Sequence, residues 1–525
     1  MVSEMTDSPD SSTSQRTSGV EDADLEAASP THSNDPKQEL GTNKDVNSDA
    51  SYSIFSRREK WFLVFLGSLS ALLSPLTANI YLPALPIISQ EFNKSLELIN
   101  LTVTTYMIFQ GISPVFWAPF GDRYGRRIVF ILCMALLCLS CVGLALVPTN
   151  AYWLLLLLRC FQAAGSASTV ALAAGLIVDI APPSERGMFL GAYTLGPMVG
   201  PCLGPVIGGA LSGSLGWRAI FWFICIFSGA VLLVIVLILP ETLRSLVGDG
   251  SIPAPRISRP VFQFGKRSGS SNLERPPQKP LANPLRLYLN IDVLLILTFN
   301  AIVYSVFYGV TTTTSILFQQ TYPYLTQTDI GLCFIAVGGG CIPGAWLTGK
   351  LLDKHYRALD EKYKAKKAHQ ALDNEDEKSL TPFEQKMDID FPLERARLSM
   401  TPINLAVFLA CVVGYGWSLE SKVHIAVPLV LTFFIGWSFI GIMNTHQNLI
   451  MDLFPSQGSS ITAANNLFRC SAGAALVAVE QLIIDALNPG WTFVLFAGIC
   501  LLSYPLSYYE MMYGYKFRAA RQRKA

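Results

Sequence analysis

The sequence predicts an all-α membrane protein of twelve transmembrane helices in two pseudo-symmetric six-helix bundles. Three observations carry this. Of 525 residues, 51% are hydrophobic and only 15% charged, where soluble proteins carry roughly a quarter. The charges are bunched, because residues 1–50, 240–289, 353–398 and 516–525 hold 51 of the 77. An Asp followed four residues later by an Arg closes both the second apolar run (Asp122, Arg126) and the eighth (Asp353, Arg357). Apolar runs of this length cross a hydrocarbon core of about 30 Å, and a motif recurring six runs later marks two homologous halves.

Residues 1–50 hold 11 acids against 3 bases and lack the apolar core of a signal peptide, so 1–55 is expected to be a disordered acidic tail. Six spans follow within 56–239, near 60–82, 98–118, 128–147, 151–178, 187–212 and 217–239. Residues 240–289, rich in Pro, Gly, Ser and Arg, read as an interdomain linker. Six more spans occupy 290–512, near 290–318, 329–350, 400–419, 424–450, 460–486 and 490–512. Within that half, 353–398 mixes 11 acids with 10 bases and is expected to form a solvated loop with a short helix around Lys362–Asp373. Residues 513–525 form a basic tail.

Orientation follows from the connections. Arg57, Arg58, Lys60, Arg123, Arg126, Arg127, eight bases of the linker and five of the tail lie on one side, against Lys94, Arg218 and Lys422 on the other. Both termini and both long loops are therefore expected in the cytosol. The positive surplus beside the spans argues for charges that orient a chain in a bilayer and against a nucleic-acid surface. All 11 cysteines fall in apolar segments, as packing residues do. No GxxxxGK[ST] loop, HExxH or regular metal spacing occurs, so neither an enzyme nor a cofactor or metal is expected.

The turn Asp122-Arg123-Tyr124-Gly125-Arg126-Arg127 needs its fixed glycine and acid for more than anchoring, and it resembles the signature of the major facilitator superfamily, with Ala118 where a glycine is usual. The resemblance implies that Asp179 and Glu185-Arg186 join Asp122, Gly125 and Arg126 in an ion-pair latch holding one transport state; ordinary loop charges would read the same. In span 5, Gly196, Gly200, Gly204 and Gly208 recur every four residues, each but the last followed by a proline. Such a stripe lets a neighbouring backbone approach closely. Gly200, Gly204, Pro205, Gly208 and Gly209 resemble the antiporter motif of exporters in this superfamily. Arg159 lies inside span 4, where a charge is a functional candidate by default; with Gln162 and Gly165 it resembles the motif linked to proton transfer.

Asn79-Ile80-Tyr81-Leu82-Pro83 resembles the end of span 1 in drug:proton antiporters, some of which have an aspartate at Asn79. An amide carries no proton, so the carrier lies elsewhere, and Asn79 is expected instead to line the substrate cavity with Tyr304, Tyr308, His446, Asn465 and Arg469. Glu480 in span 11 is a candidate, on a face shared with Asn465, Arg469 and Gly473; a place in the outer mouth near Asp485 is its alternative. His446 in span 10 could titrate or simply face water. Asn300, Tyr304, Tyr308, Thr311 and Ser315 recur at helical spacing in span 7, as cavity-lining groups or as packing. With Pro240-Glu241-Thr242-Leu243-Arg244 and Asn465–Cys470, these runs resemble the fungal twelve-span drug:proton antiporters, most of all the quinidine-resistance and citrate-exporter branch.

That resemblance implies a proton-coupled exporter of small organic molecules by alternating access. Drugs, fungicides or toxic metabolites are the leading substrates. An organic acid whose carboxylates use Arg159 or Arg469 is the second, and a transport-dead sensor the third. The partners implied are substrate, protons and membrane lipid, with the chain working as a monomer. The plasma membrane is the expected location, although a vacuolar one would give the same charge pattern.

Overall fold

Ser56 caps the first helix, α1 (Arg57–Asn79), reciprocally: its hydroxyl accepts from the Glu59 amide, and the Glu59 carboxylate accepts from the Ser56 amide. The computed structural model describes residues 53–262, 284–373, 391–454 and 458–522; the tail expected to be disordered lies almost wholly outside them. The chain then runs through α2 (Leu96–Tyr124), α3 (Arg126–Leu146), α4 (Tyr152–Ile180), α5 (Pro183–Leu215) and α6 (Arg218–Ile238). The second half begins with α7 (Ile291–Thr321), α8 (Gln327–Asp373), α9 (Thr401–Glu420) and α10 (Ala426–Leu453). Gly458–Gln522 holds two spans, α11 and α12, divided at Asn488, where φ of 60° and ψ of 164° leave the helical region ahead of Pro489.

Among the described residues, 10 helical stretches are long and apolar enough to cross a membrane. The last of them contains both α11 and α12, and α2, long enough at 29 residues but more polar, completes twelve. Both described ends of the chain therefore lie on one side, called here the terminal side.

Three segments differ from the sequence expectation. The helix foreseen near Lys362–Asp373 is continuous with α8, whose 47 residues reach about 70 Å at 1.5 Å per residue. No Pro or Gly stands between Lys350 and Asp373 to stop it. The linker is partly folded: Arg127 Nη2 donates to Val236 O at 2.7 Å and Nη1 to Ile257 O at 3.3 Å, while the Phe262 amide donates to Leu237 O at 2.8 Å. The basic tail is helical to Gln522, and its Arg518 and Arg521 are engaged in ion pairs.

The halves meet most closely on the side away from the termini. A Cβ added to Gly209 of α5 would stand 2.6 Å from Gln327 O and 2.9 Å from Gly331 Cα of α8. Nearer the middle, the Asn466 amide of α11 donates to Gln110 O of α2 at 2.8 Å. Toward the terminal side the contact opens: a Cβ on Gly187 or Gly191 of α5, or on Gly349 of α8, meets nothing within 4 Å. The seam is shut from its far end to its middle, where a Cβ on Gly338 of α8 would press on Cys202 Cβ of α5.

Candidate functional site

The glycine stripe of α5 packs on α1 backbone to backbone. A Cβ at Gly200 would lie 2.6 Å from Pro75 Cγ and 2.9 Å from Leu76 N; one at Gly204 would lie 3.0 Å from Ile80 N. Gly196 and Gly208 press on Ser68 and Ile80 in the same way. The helix runs unbroken through Pro197, Pro201 and Pro205. Gly209, on the next face, meets α8 instead, so α5 is the element shared between the first bundle and the seam. Asn79, expected beside a cavity, is held in this contact: its amide donates to Pro75 O at 2.7 Å.

Arg159 of α4 sits at the centre with no exposed area. Its guanidinium lies 4.2 Å from the Tyr81 ring centroid and 4.3 Å from that of Tyr106. Those rings are fixed in turn, Tyr81 OH by Thr102 at 3.0 Å and Tyr106 OH by Ser166 at 2.8 Å. Nη1 donates to Gln162 Oε1 at 2.6 Å, and Gln162 Nε2 reaches Cys141 Sγ. Among the described residues, Nε and Nη2 have no hydrogen-bond partner. Two cation–π contacts offset part of the burial cost, at about 0.5–2 kcal/mol each. They supply no counter-charge.

Arg469 of α11 is arranged similarly. Its Nε and Nη2 both donate to Asn466 Oδ1, at 3.1 and 2.9 Å, and its guanidinium stands 4.9 Å from the Tyr304 ring. Tyr304 and Tyr308 are 5.0 Å apart and buried on α7, and Tyr308 is within electrostatic range of both arginines. Among the described residues no carboxylate forms an ion pair with either guanidinium. Asn465 is turned to α10, donating to Gln447 Oε1 at 2.7 Å.

Glu480 is not in an open mouth. It has no exposed area, and its Oε1 lies 2.6 Å from the Thr312 hydroxyl of α7. Asp485, the neighbour expected beside it, accepts from Gln481 instead. His446 likewise does not face water or a cavity. It is fully buried, with Nδ1 2.9 Å from Ile442 O, Nε2 2.9 Å from Ser507 Oγ and its ring 5.0 Å from Phe299. It belongs to the packing of α7, α10 and α12.

At the terminal side Arg126 joins three helices: Nη2 lies 2.5 Å from Asp122 of α2 and Nε 3.2 Å from Asp179 of α4. Glu185 pairs with Lys60 of α1 at 3.5 Å, and Arg186 stands beside it on the first turns of α5. Glu241, which the sequence reading quoted only for its family resemblance, has a role that reading missed. Fully buried, its carboxylate accepts from the amides of Arg126, Arg127, Thr242 and Leu243 at 2.9–3.3 Å, capping α3 from 115 residues away. Gly125, at φ 116°, both makes the turn and leaves room for that carboxylate. Burial pushes the Glu241 carboxyl up while the four amides pull it down. In Glu241→Ala four buried donors lose their acceptor. The expected result is a loss of roughly 2–4 kcal/mol, read as a lower unfolding midpoint in detergent, with Glu241→Gln intermediate; an unchanged midpoint in Glu241→Ala would contradict it.

The second half repeats this arrangement at an unexpected place. Arg397, just before α9, pairs with Asp452 at the end of α10 at 2.7 Å and stacks 4.8 Å from the Tyr356 ring. It corresponds to Arg126 with Asp179, whereas Asp353 and Arg357 line a surface groove on α8. The Major Facilitator Superfamily sequence profile matches residues 67–478. The chain belongs to the Major Facilitator Superfamily. Citrate exporter 1 of Aspergillus niger is 38% identical over 98% of both chains, and the MFS antiporter QDR2 of Candida albicans is 32% identical over 87% of this chain and 90% of its own. Among solved structures, a D-xylose–proton symporter aligns with a TM-score of 0.60 at 14% identity over 87% of this chain and 97% of its own. A bacterial homologue of the lysosomal transporter Spinster aligns at 0.59 and 13% over 88% and 99%. The fold is thus that of the superfamily, and the protein is a multi-pass membrane transporter. Among the described residues no group of His, Cys, Asp and Glu could hold a metal, and all eleven cysteines are free.

Proposed function

We propose that this superfamily member is a proton-driven exporter of organic anions carrying carboxylate groups, working as a single chain by alternating access in the plasma membrane. Arg159 carries the reading. A permanent cation in an apolar interior costs several kcal/mol unless an anion or water answers it, and no carboxylate of the described chain answers this one. Its free edge, made by Nε and Nη2, suits a planar carboxylate. Arg469, partly exposed beyond the Tyr304–Tyr308 pair, offers a second charge for a di- or tricarboxylate. Full-length similarity to a citrate exporter favours the same substrate class. The paired tyrosines favour a second reading, export of aromatic drugs or toxic metabolites, which the similarity to QDR2 supports.

Glu480 is the proton carrier in this reading, and Arg159 with Gln162 organises the site around it. With the basic terminal side in the cytosol, the shut end of the α5–α8 seam is the outer one. This conformer then receives substrate from the cell, with the Asp122–Arg126–Asp179 latch closed. Inside-out vesicles with an acidic lumen test the function: labelled citrate is expected to accumulate in the lumen and to stop when the gradient is collapsed. Accumulation of a lipophilic cation without citrate would overturn the anion reading in favour of drugs, and movement of neither would overturn both. A fluorescent fusion distinguishes plasma from vacuolar membrane.

A further inference from the structure

The basic tail is one side of a buried charge cluster at the terminal end of the second half. Arg521 Nη1 lies 2.7 Å from Asp292 Oδ2, at the start of α7. Arg518 Nε lies 3.4 Å from Glu394 Oε1, in the short helix Leu393–Leu398, and its Nη2 donates to Phe391 O at 2.5 Å. Glu510 of α12 completes the set. It has no exposed area, and among the described residues neither of its carboxyl oxygens has a hydrogen-bond partner. It converges with Glu394 on Gly514, where an added Cβ would stand 2.5 Å from Glu510 Oε1 and 2.7 Å from Glu394 Cγ. Asp292 and Arg521 are within its electrostatic range. Of the other charges on these packed elements, Arg395 lies 3.3 Å from Met512 Sδ, Arg397 pairs with Asp452, and Lys516 Nζ stands 5.0 Å from the Tyr513 ring centroid.

We propose that Glu510 is a proton-binding site at the terminal end of α12, separate from Glu480, and that loss of its proton releases the helix end 512–522 from the segment 391–398. Two guanidinium groups neutralise two carboxylates, so a third buried negative charge between them has no partner. A proton on Glu510 leaves the cluster balanced. When it dissociates, Glu394 and Glu510 repel across Gly514, and the cheapest relief is for the helix end to swing into water, where all five groups are solvated. The device senses the pH of the compartment that the terminal side faces, and it does so without substrate.

Amide hydrogen exchange on the full chain in lipid nanodiscs, with the intrinsic pH dependence divided out, reads the docking of 512–522 directly. Release linked to one proton is expected to lower protection about tenfold per pH unit above the midpoint. Glu510→Gln should remove the slope. Glu394→Gln, which leaves two carboxylates against two guanidinium groups, should remove it as well, and it serves if the first variant does not fold. Protection independent of pH between 5.5 and 9 in the wild-type chain would overturn the proposal, as would a slope that survives either substitution. Since no substrate is present, this outcome is independent of what the protein exports.

Discussion

Glu480→Gln is expected to abolish gradient-driven accumulation, to below a tenth of wild type, while exchange of labelled for unlabelled substrate without a gradient persists. The hydrogen bonds give the reason. The Thr312 hydroxyl has one hydrogen, yet it stands 2.9 Å from Tyr308 O and 3.2 Å from Gly309 O within its own helix, and 2.6 Å from Glu480 Oε1. When that hydrogen goes to the helix carbonyl, the short contact to Glu480 requires the carboxyl to donate. A protonated Glu480 fits a site with no exposed area and no described cation against it, where an ionised carboxylate would cost several kcal/mol. Glutamine copies the neutral state and cannot leave it. Gly309 sets how near the carboxyl can come, since a Cβ there would stand 3.2 Å from Glu480 Oε2. Retention of gradient-driven accumulation in Glu480→Gln would move the proton carrier elsewhere.

Arg159→Lys is expected to reduce transport of a carboxylate substrate at least a hundredfold, and Arg159→Gln to abolish its binding. A guanidinium is flat and packs against both Tyr81 and Tyr106, with ring centroids 4.2 and 4.3 Å away, while its Nε–Nη2 edge stays free for an anion. An ammonium is compact and cannot offer two parallel donors. Binding measured by isothermal calorimetry on purified protein separates the roles. Loss of citrate binding in Arg159→Gln supports direct contact, whereas unchanged binding with lost transport would make Arg159 a coupling residue and sink its part in recognition. Tyr81→Phe, which keeps the ring and loses the hydroxyl bonded to Thr102, should have a smaller effect than either.

The membrane helices were legible because hydropathy is a local signal, integrated over twenty residues in a row. The glycine stripe of α5 and the Asp122–Arg126 turn were legible because their spacing is fixed by one helix or one turn. Glu241 was not, because its partners are backbone amides 115 residues distant, and an amide has no letter in a sequence. Arg397 was hidden by the long insertion that carries the second-half motif away from the end of α8. His446 and Asn79 were misplaced for a shared reason: a polar residue in a span can spend its hydrogen bonds on a carbonyl four residues back, as both do here, and then needs no cavity. The partners of the tail were not legible either. Its bases look solvated when counted alone, and only folding brings Asp292, Glu394 and Glu510 to meet them.

The length of α8 has a mechanical consequence. Beyond the hydrocarbon its last 20 or so residues form a rigid rod of about 30 Å, steadied near its base where Tyr356 and Tyr363 each meet the Phe391 ring at 5.5 Å. Each 10° of tilt in the membrane sweeps the end of the rod through about 5 Å. That magnification makes the rod a built-in pointer, and a fluorophore pair reading its tip against the first bundle would report the transport cycle from a place where no substrate binds.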